Sequence, residues 1–130
     1  ELKCNKIALG HHLDDMIETL LLNIFFIGKM ASMAPKLRAD DGKNVVIRPL
    51  IYVKEQEIID FAQQLKVPIV CCQCPLMCGK NVHADHKRMR IKNIIQDLEK
   101  EIPSIRNSLI ASLSHVNPSH LLDKRLWKFD

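Results

Sequence analysis

Two adjacent imidazoles followed by two adjacent carboxylates stand near the start of the chain, in Gly10-His11-His12-Leu13-Asp14-Asp15. The run lies between an apolar stretch typical of a strand and a pattern typical of a helix. In open α/β sheets, ligands bind at the edge formed by the carboxyl ends of the strands. Side chains of these types at that edge can orient a nucleotide, bind Mg²⁺ or exchange protons. Either aspartate can instead cap the helix and complement its dipole, and spacing alone leaves both interpretations open.

Four of the five cysteines are crowded into one short segment, at Cys71, Cys72, Cys74 and Cys78, and His83 and His86 follow. This crowding favours a reduced cytoplasm with metal or redox use over a secreted disulfide framework. Cys74 and Cys78 with the two histidines offer four zinc ligands, but the pairs are closer together than in a zinc finger. Four thiolates could bind an iron–sulfur cluster, but the adjacent Cys71 and Cys72 would point in opposite directions in an extended segment. Beside Ile69-Val70, either of these two could instead be a small buried hydrophobe. Zinc, an iron–sulfur site and inert cysteines all remain open.

Hydrophobic periodicity predicts the elements that position these residues. Lys6 to Leu9 is expected to form a buried parallel strand. A helix apolar nearly all round is expected from Asp15 to about Met30, with Asp15 as its cap, Glu18 completing a capping box and Gly28 near its end.

The middle of the chain predicts a hairpin and an amphipathic helix. The segments 36–39 and 44–48 are expected to pair around the turn signal Asp41-Gly42. A helix from about Lys54 to Leu65 follows, and its apolar stripe is expected to face inward. The stripe consists of Ile58, Phe61, Ala62 and Leu65.

The last third of the chain predicts two more helices. One runs from about Asp85 to Lys100, and Pro103 opens the other, which Pro118 stops. Their inward positions are Ile91, Ile94, Ile95 and Leu98 in the first and Ile105, Leu109, Ile110 and Leu113 in the second, and Trp127 and Phe129 are expected to anchor the tail. Alternating strands and helices indicate an α/β fold, in which residues 1–70 supply the sheet and 71–130 the Cys-rich loop and final helices.

Composition excludes some classes of protein. With 47% hydrophobic residues and a net charge of +4, the chain is an ordinary globular sequence with no membrane-length apolar stretch. Basic side chains cluster at Lys87, Arg88, Arg90 and Lys92, which fits either a phosphate-binding stripe or a solvated helix face. The chain does not begin with Met, and no two of its four glycines are close enough to cradle a phosphate. We therefore expect an N-terminal truncation.

The sequence resembles the PP-loop (N-type) ATP pyrophosphatases. The run GHHLDDMIETLLLN is similar to a signature motif of that superfamily. It is followed in order by GKMASMAPKLRADDGKNVVIRPL, KEQEI, PIVCCQC and VNPSHL, a set most similar to the tRNA 2-thiocytidine synthetases (tRNA cytidine 2-sulfurtransferases). Residues 73–86 depart from the usual family pattern, as if they carried a small insertion. The family's pyrophosphate-binding loop and its Cys-x-x-Cys pair belong to an N-terminal half that this sequence does not contain.

The resemblance implies a Rossmann-like parallel sheet of the adenine nucleotide α-hydrolase type and ATP-dependent thiolation of an anticodon-loop cytidine. It implies ATP, Mg²⁺ and a [4Fe–4S] cluster, with Asp14 and Asp15 as catalytic residues and Gly10, His11 and His12 at the nucleotide. Arg48 follows the strand Val45–Ile47, and this place at the strand's end predicts that it faces the same edge; the alternative is a surface arginine with a solvated head. Cys78 best matches the one cluster ligand expected from this segment, and Cys74 is the alternative. Lys87, Arg88, Arg90 and Lys92 are the expected tRNA contacts.

The same resemblance implies a cytoplasmic enzyme that no membrane anchors, supplied by a sulfur donor such as a cysteine desulfurase and compatible with a homodimer. This fragment is expected to be inactive alone. The alternatives are another PP-loop tRNA-modifying enzyme, of the uridine thiolase or lysidine synthetase type, and a non-catalytic module that binds metal or nucleic acid.

Overall fold

A computed structural model describes residues 4–40, 42–68 and 82–127, with the side chains of 82–85 excepted. Four helices and three strands follow one another in the order β1, α1, β2, β3, α2, α3 and α4. The strands are β1 Lys6–Ala8, β2 Lys36–Arg38 and β3 Val45–Ile47; the helices are α1 Leu13–Phe26, α2 Glu55–Gln64, α3 Val82–Glu101 and α4 Ile105–Ser112. Two short 3₁₀ turns, Pro118–His120 and Lys124–Leu126, complete the described chain. None of these helices is both long and apolar enough to cross a lipid bilayer.

The three strands form a mixed sheet in the order β1-β3-β2. β1 runs parallel to β3, with Ile7 opposite Val46, and β2 runs antiparallel to β3, with Leu37 opposite Val46. The predicted hairpin is therefore confirmed, and Gly42 takes the positive φ of 68° that its turn requires. The expectation that β1 is buried is wrong within the described residues, because β1 lies at an edge of the sheet and all three of its residues are exposed.

Helix α1 begins two residues earlier than periodicity predicted. His12 is its N-cap residue, and the backbone N–H of His12 donates to Asp15 Oδ2 at 3.2 Å. Asp15 is therefore not the cap but the third helical residue, which reaches back to the cap as in a capping box. The helix ends before Gly28, whose φ of 73° reverses the chain direction as a left-handed residue does after a helix.

Helix α2 ends in a Schellman motif. The N–H of Val67 donates to the carbonyl of Ala62 at 3.0 Å, and the N–H of Lys66 donates to Gln63 at 3.1 Å. Lys66 has a φ of 52°, a conformation that glycine adopts more easily. The predicted inward stripe of α2 is wrong for Phe61 and Leu65, which are 62% and 59% exposed, because no described element covers that side of the helix.

The hydrophobic core lies among the helices rather than on the sheet. Helix α1 packs on α3 and α4, which also pack on each other. The buried core cluster consists of Leu13, Ile17, Leu21, Ile91 and Ile95, with Leu22, Ile94, Leu109 and Ile110 packed around them. The predicted inward positions Ile91 and Ile95 are confirmed, whereas Leu98 is 38% exposed. In the tail, the indole N–H of Trp127 donates to the carbonyl of Leu121 at 2.7 Å, and Phe129 lies outside the described residues.

Candidate functional site

The two parallel strands end side by side, and the chain segments that follow them carry the polar motif. The N–H of Leu9 donates to the carbonyl of Ile47 at 2.9 Å. His12 then forms a parallel bridge with Leu50, and the N–H of Leu13 donates to the carbonyl of Val53 at 2.9 Å. These contacts place the start of α1 at the carboxyl edge of the sheet, where open α/β folds bind their ligands. Gly10 is exposed there, and a Cβ atom at that position would meet no described protein atom within 4 Å.

Arg48 follows β3 directly and contacts His11. Its Nε donates to His11 Nδ1 at 3.2 Å, and its Nη1 donates to the carbonyl of Ala34 in the loop before β2. Because arginine has only donors, Nδ1 of His11 accepts this bond, which leaves Nε2 as the ring nitrogen that could donate to a ligand. The structure therefore brings Arg48 and His11, two of the predicted nucleotide residues, together at one edge.

His12 lies between the two aspartates. Its Nε2 is 3.3 Å from Asp15 Oδ2, and its Nδ1 is 3.8 Å from Asp14 Oδ2. That Nδ1 atom is buried and has no hydrogen-bond partner among the described residues. A protonated His12 would pair with both carboxylates, whereas a neutral ring can donate to only one of them.

Asp14 is only 5% exposed and its carboxylate is fully engaged by the protein. Oδ2 accepts from the backbone N–H of Glu55, the first residue of α2, at 2.7 Å. Oδ1 accepts from Nη1 of Arg106 on α4. The carboxylate thus caps α2, satisfying one of its terminal N–H groups and complementing its dipole. Burial lowers the pKa of Arg106, whose Nε also donates to Glu99 at 2.9 Å.

Asp15 and Glu18 share one cation, Arg88 of α3. Arg88 Nη1 is 3.5 Å from Asp15 Oδ1, and its Nε is 3.6 Å from Glu18 Oε2. Glu18 is 6% exposed. Burial is the main cause that raises the pKa of Glu18, and the charges of Arg88 and Lys92 offset it in part.

The basic residues of α3 differ in their surroundings. Lys87 Nζ lies 4.9 Å from the centre of the Phe26 ring, a cation–π distance. Lys92 Nζ donates to Glu55 Oε2 at 2.6 Å, and this bond is the main cause that raises the pKa of Lys92. Arg90 is exposed, and no hydrogen bond or ion pair joins it to the described residues.

The predicted cysteine ligands are not part of this geometry. Cys71, Cys72, Cys74 and Cys78 lie outside the described residues, as does the side chain of His83, while His86 is exposed. Within the part of the chain that the structure describes, no three His, Cys, Asp or Glu side chains cluster as a metal site would require.

Periodicity missed the residues that organise the acids. Arg106, Glu99, Glu55 and Lys92 line a polar hollow of about 450 Å³ together with Asp14. A signal for Arg106 was present, since it lies three and four residues before Leu109 and Ile110 and so falls on the inward stripe of α4. Glu18 carries a similar signal, because a charge within a helix that is apolar nearly all round needs a partner.

Comparison with known proteins yields relatives along nearly the whole chain. A tRNA-cytidine(32) 2-sulfurtransferase of Geobacter metallireducens is 54% identical over 123 residues, which are 95% of this chain and 46% of the relative. Its counterpart from Geobacter sulfurreducens is 53% identical over 126 residues, 97% of this chain and 48% of the relative. The chain thus spans about half the length of the curated relatives it matches.

A solved structure shares the fold. The U34-tRNA thiolase NcsA from Methanococcus maripaludis, with its [4Fe–4S] cluster, superposes with a TM-score of 0.63 at 23% identity, over 89% of this chain and 39% of that one. This likeness confirms the predicted α/β fold class.

The family comparison covers the sheet, the polar motif and most of α3. Residues 1–98 match the PP-loop domain, which is well over half of the 130 residues and includes His11, His12, Asp14 and Asp15. The chain belongs to the PP-loop domain family.

Proposed function

We propose that the full-length protein thiolates tRNA at the expense of ATP, replacing the C2 oxygen of an anticodon-loop cytidine with sulfur. The observation that carries the proposal is the carboxyl edge of the sheet, where Arg48, His11, His12 and Asp15 converge. The names of the relatives, tRNA-cytidine(32) 2-sulfurtransferases at 54% and 53% identity, support this substrate and reaction.

The proposed reaction has two displacements. The C2 oxygen of cytidine attacks the α-phosphate of ATP and forms an O–P bond, and the bond to the β-phosphate breaks to release pyrophosphate. A sulfur nucleophile then attacks C2, and the C2–O bond breaks to release AMP with the former base oxygen. Negative charge builds up on the phosphates during the first step, so the site must supply fixed positive charge and hydrogen-bond donors.

We propose that Asp15 contributes a ligand to the Mg²⁺ that accompanies ATP. Mg²⁺ needs only one or two protein carboxylates when substrate phosphates complete its shell, and the half-buried Asp15 fits that requirement. Oδ2 of Asp15 is held by the His12 N–H, which orients Oδ1 as the ligating atom. The ion, when bound, neutralises charge on the phosphate oxygens.

His11, His12, Gly10 and Arg48 are proposed to surround the nucleotide. The Nε2–H of His11 is available as a donor because Arg48 holds Nδ1. The open space over Gly10 leaves room for a phosphate or ribose to approach the backbone.

A catalytic role for Asp14 stays a prediction, and its contacts favour a positioning role instead. Both carboxylate oxygens already accept bonds from the protein, and the residue is only 5% exposed, so a metal ion would have to compete with the α2 N–H and Arg106. We propose that Asp14 fixes α2 and α4 relative to the edge, while Asp15 faces the ligand.

The proposed [4Fe–4S] cluster rests on the sequence motif alone. Its candidate ligands, Cys78 and Cys74, lie outside the described residues, so no step is assigned to them here. A cluster of this type would supply the iron chemistry that delivers sulfur, and a donor such as a cysteine desulfurase would replenish it. A cytoplasmic location and a homodimeric assembly complete the proposal.

The tRNA is proposed to contact α3. Arg88 and Lys92 are paired with carboxylates, whereas Arg90 is exposed. Of the four basic residues in the predicted contact, Arg90 can therefore bind a phosphate without breaking an ion pair to the described residues. Lys87 would give up only its cation–π contact with Phe26.

Mass spectrometry of tRNA nucleosides from cells lacking the gene tests the proposal. We expect 2-thiocytidine to disappear and to return with a wild-type copy, but not with a copy carrying Asp15→Asn. Persistence of 2-thiocytidine would contradict the proposal. Loss of a thiolated uridine or of lysidine would instead assign the protein to one of the other PP-loop activities.

A further inference from the structure

The position of Arg88 between two carboxylates has a consequence for metal binding. Its guanidinium lies 3.5 Å from Asp15 Oδ1 and 3.6 Å from Glu18 Oε2. Among the described residues, Arg88 is the only group that contacts Asp15 Oδ1, since Oδ2 takes the contacts to His12. The atom left to bind a metal ion is therefore the atom that the arginine occupies.

The two ion pairs are loose enough to exchange. Both distances exceed the range of a charge-assisted hydrogen bond, and the Arg88 side chain is 44% exposed. Arg88 can leave Asp15 without becoming an uncompensated buried charge, because it can retain Glu18 or turn to solvent. Asp14 offers no such exchange, since the Arg106 side chain that binds it is only 12% exposed.

We propose that Arg88 is a positioning residue that acts as a tethered counter-ion at Asp15 and is displaced when a divalent cation binds there with the nucleotide. The inference rests on the proposed function, because that function brings Mg²⁺ and ATP to the edge. It also gives Arg88 a role different from that of an RNA contact.

The test measures how much Mg²⁺ the full-length protein needs to bind ATP, in the absence of tRNA. Equilibrium binding of ATP is followed during a Mg²⁺ titration for wild type and for Arg88→Gln, Arg88→Lys and Lys100→Gln. Removing an exposed competing charge should lower the half-saturating Mg²⁺ concentration of Arg88→Gln about two- to fivefold, as expected for a surface ion pair. Arg88→Lys, which keeps the charge, should restore the wild-type value. Lys100→Gln loses the same charge from the far end of the same helix, where Lys100 pairs only with the exposed Asp97, and should leave the value unchanged.

A double-mutant cycle with Asp15→Asn separates competition from a structural effect. If Arg88 acts through Asp15, Arg88→Gln has no further effect on the Mg²⁺ requirement once Asp15 is neutral. An unchanged or increased Mg²⁺ requirement in Arg88→Gln, or the same decrease in both backgrounds, would overturn the inference. Failure of the wild-type protein to bind ATP at any Mg²⁺ concentration would instead refute the proposed function.

Discussion

Two neighbouring aspartates in one motif have different environments. Asp14 points into the protein, where it caps α2 and pairs with Arg106, while Asp15 stays at the edge of the sheet beside His12 and Arg88. Successive residues of a helix point about 100° apart, so one helix start can serve both the interior and a ligand. The motif therefore combines a structural acid with one that is available for chemistry.

The difference between these two acids predicts different results for the same substitution. Asp14→Asn should destabilise the full-length protein by roughly 3 kcal/mol, because it removes one member of a buried ion pair. Asp15→Asn should cost about 1 kcal/mol, the value of a helix cap, and should weaken Mg²⁺-dependent ATP binding. Urea denaturation measures the first effect and equilibrium binding the second. If Asp14→Asn leaves stability unchanged and abolishes ATP binding, Asp14 is the ligand-binding acid after all.

Glu18 predicts a pH-dependent contribution to stability. Burial raises the pKa of its carboxyl above the ordinary value of 4.5. The folded state therefore binds a proton at this carboxyl more tightly than the unfolded state does. The contribution of Glu18 is therefore largest below pH 4.5, and it is lost as the pH rises through the folded pKa. Glu18→Gln should remove this loss and gain stability relative to wild type as the pH rises from 4.5 toward neutral.

Denaturation midpoints across that pH range measure the effect. Glu101→Gln, at the exposed end of α3, is the matched control and should follow the wild-type curve. If the stability of Glu18→Gln relative to wild type does not change with pH, burial does not raise the pKa of Glu18.

At the level of elements, α3 serves the interior and the surface at the same time. Ile91 and Ile95 enter the core, Arg88 and Lys92 bind acids of α1 and α2, and Arg90 remains on the outside. A basic cluster in a sequence is therefore not a uniform phosphate-binding stripe, because helical geometry distributes neighbouring residues around the axis.

Because Arg90 lies on the outward side of α3, we predict that it contributes to RNA affinity. Arg90→Gln should weaken tRNA binding at low salt and reduce the slope of log affinity against log salt by about 1, as expected for one lost phosphate contact. Arg125→Gln is a suitable control, since Arg125 is 88% exposed but binds Asp123 in the tail. Filter binding at several salt concentrations measures the slope, and equal slopes for Arg90→Gln and wild type would exclude this contact.

For the whole molecule, stability depends on how α1, α3 and α4 pack together. The sheet aligns the ligand-binding edge, but all residues of β1 and β2 are exposed and the enclosed side chains belong to the helices. The ion pairs of Asp14 and Arg88 connect this helical core to the edge, so packing and site geometry depend on each other.

Truncation of a core residue should therefore be costly. Ile91 is 0% exposed, and Ile91→Ala should destabilise the protein by about 2–5 kcal/mol through lost burial and the cavity left behind. Leu122→Ala, at a position that is 92% exposed, should change stability by less than about 0.5 kcal/mol. Denaturation midpoints of the two variants measure these changes in stability. A similar loss at both positions would mean that Ile91 does not belong to the core.

The sequence by itself determined most of the secondary structure and predicted where the site lies. Periodicity and turn residues predicted the three strands and the first three helices to within about four residues, because these features depend on neighbours along the chain. The last helix ends at Ser112, six residues before the predicted stop at Pro118. The motif after β1 identified the family and predicts that ligands bind at the carboxyl edge of the sheet. It did not tell whether β1 and the stripe of α2 are covered, since that depends on which elements lie against them.

Only the tertiary structure decided which partner each charged residue contacts. Asp14 meets its partners 41 and 92 residues away, and Arg88 reaches Asp15 and Glu18 from another helix. Hydrophobic patterns show which face of a helix is inward, but the partner of a charge depends on how the helices cross. The roles of two adjacent aspartates could therefore be separated only once α2, α3 and α4 were in place.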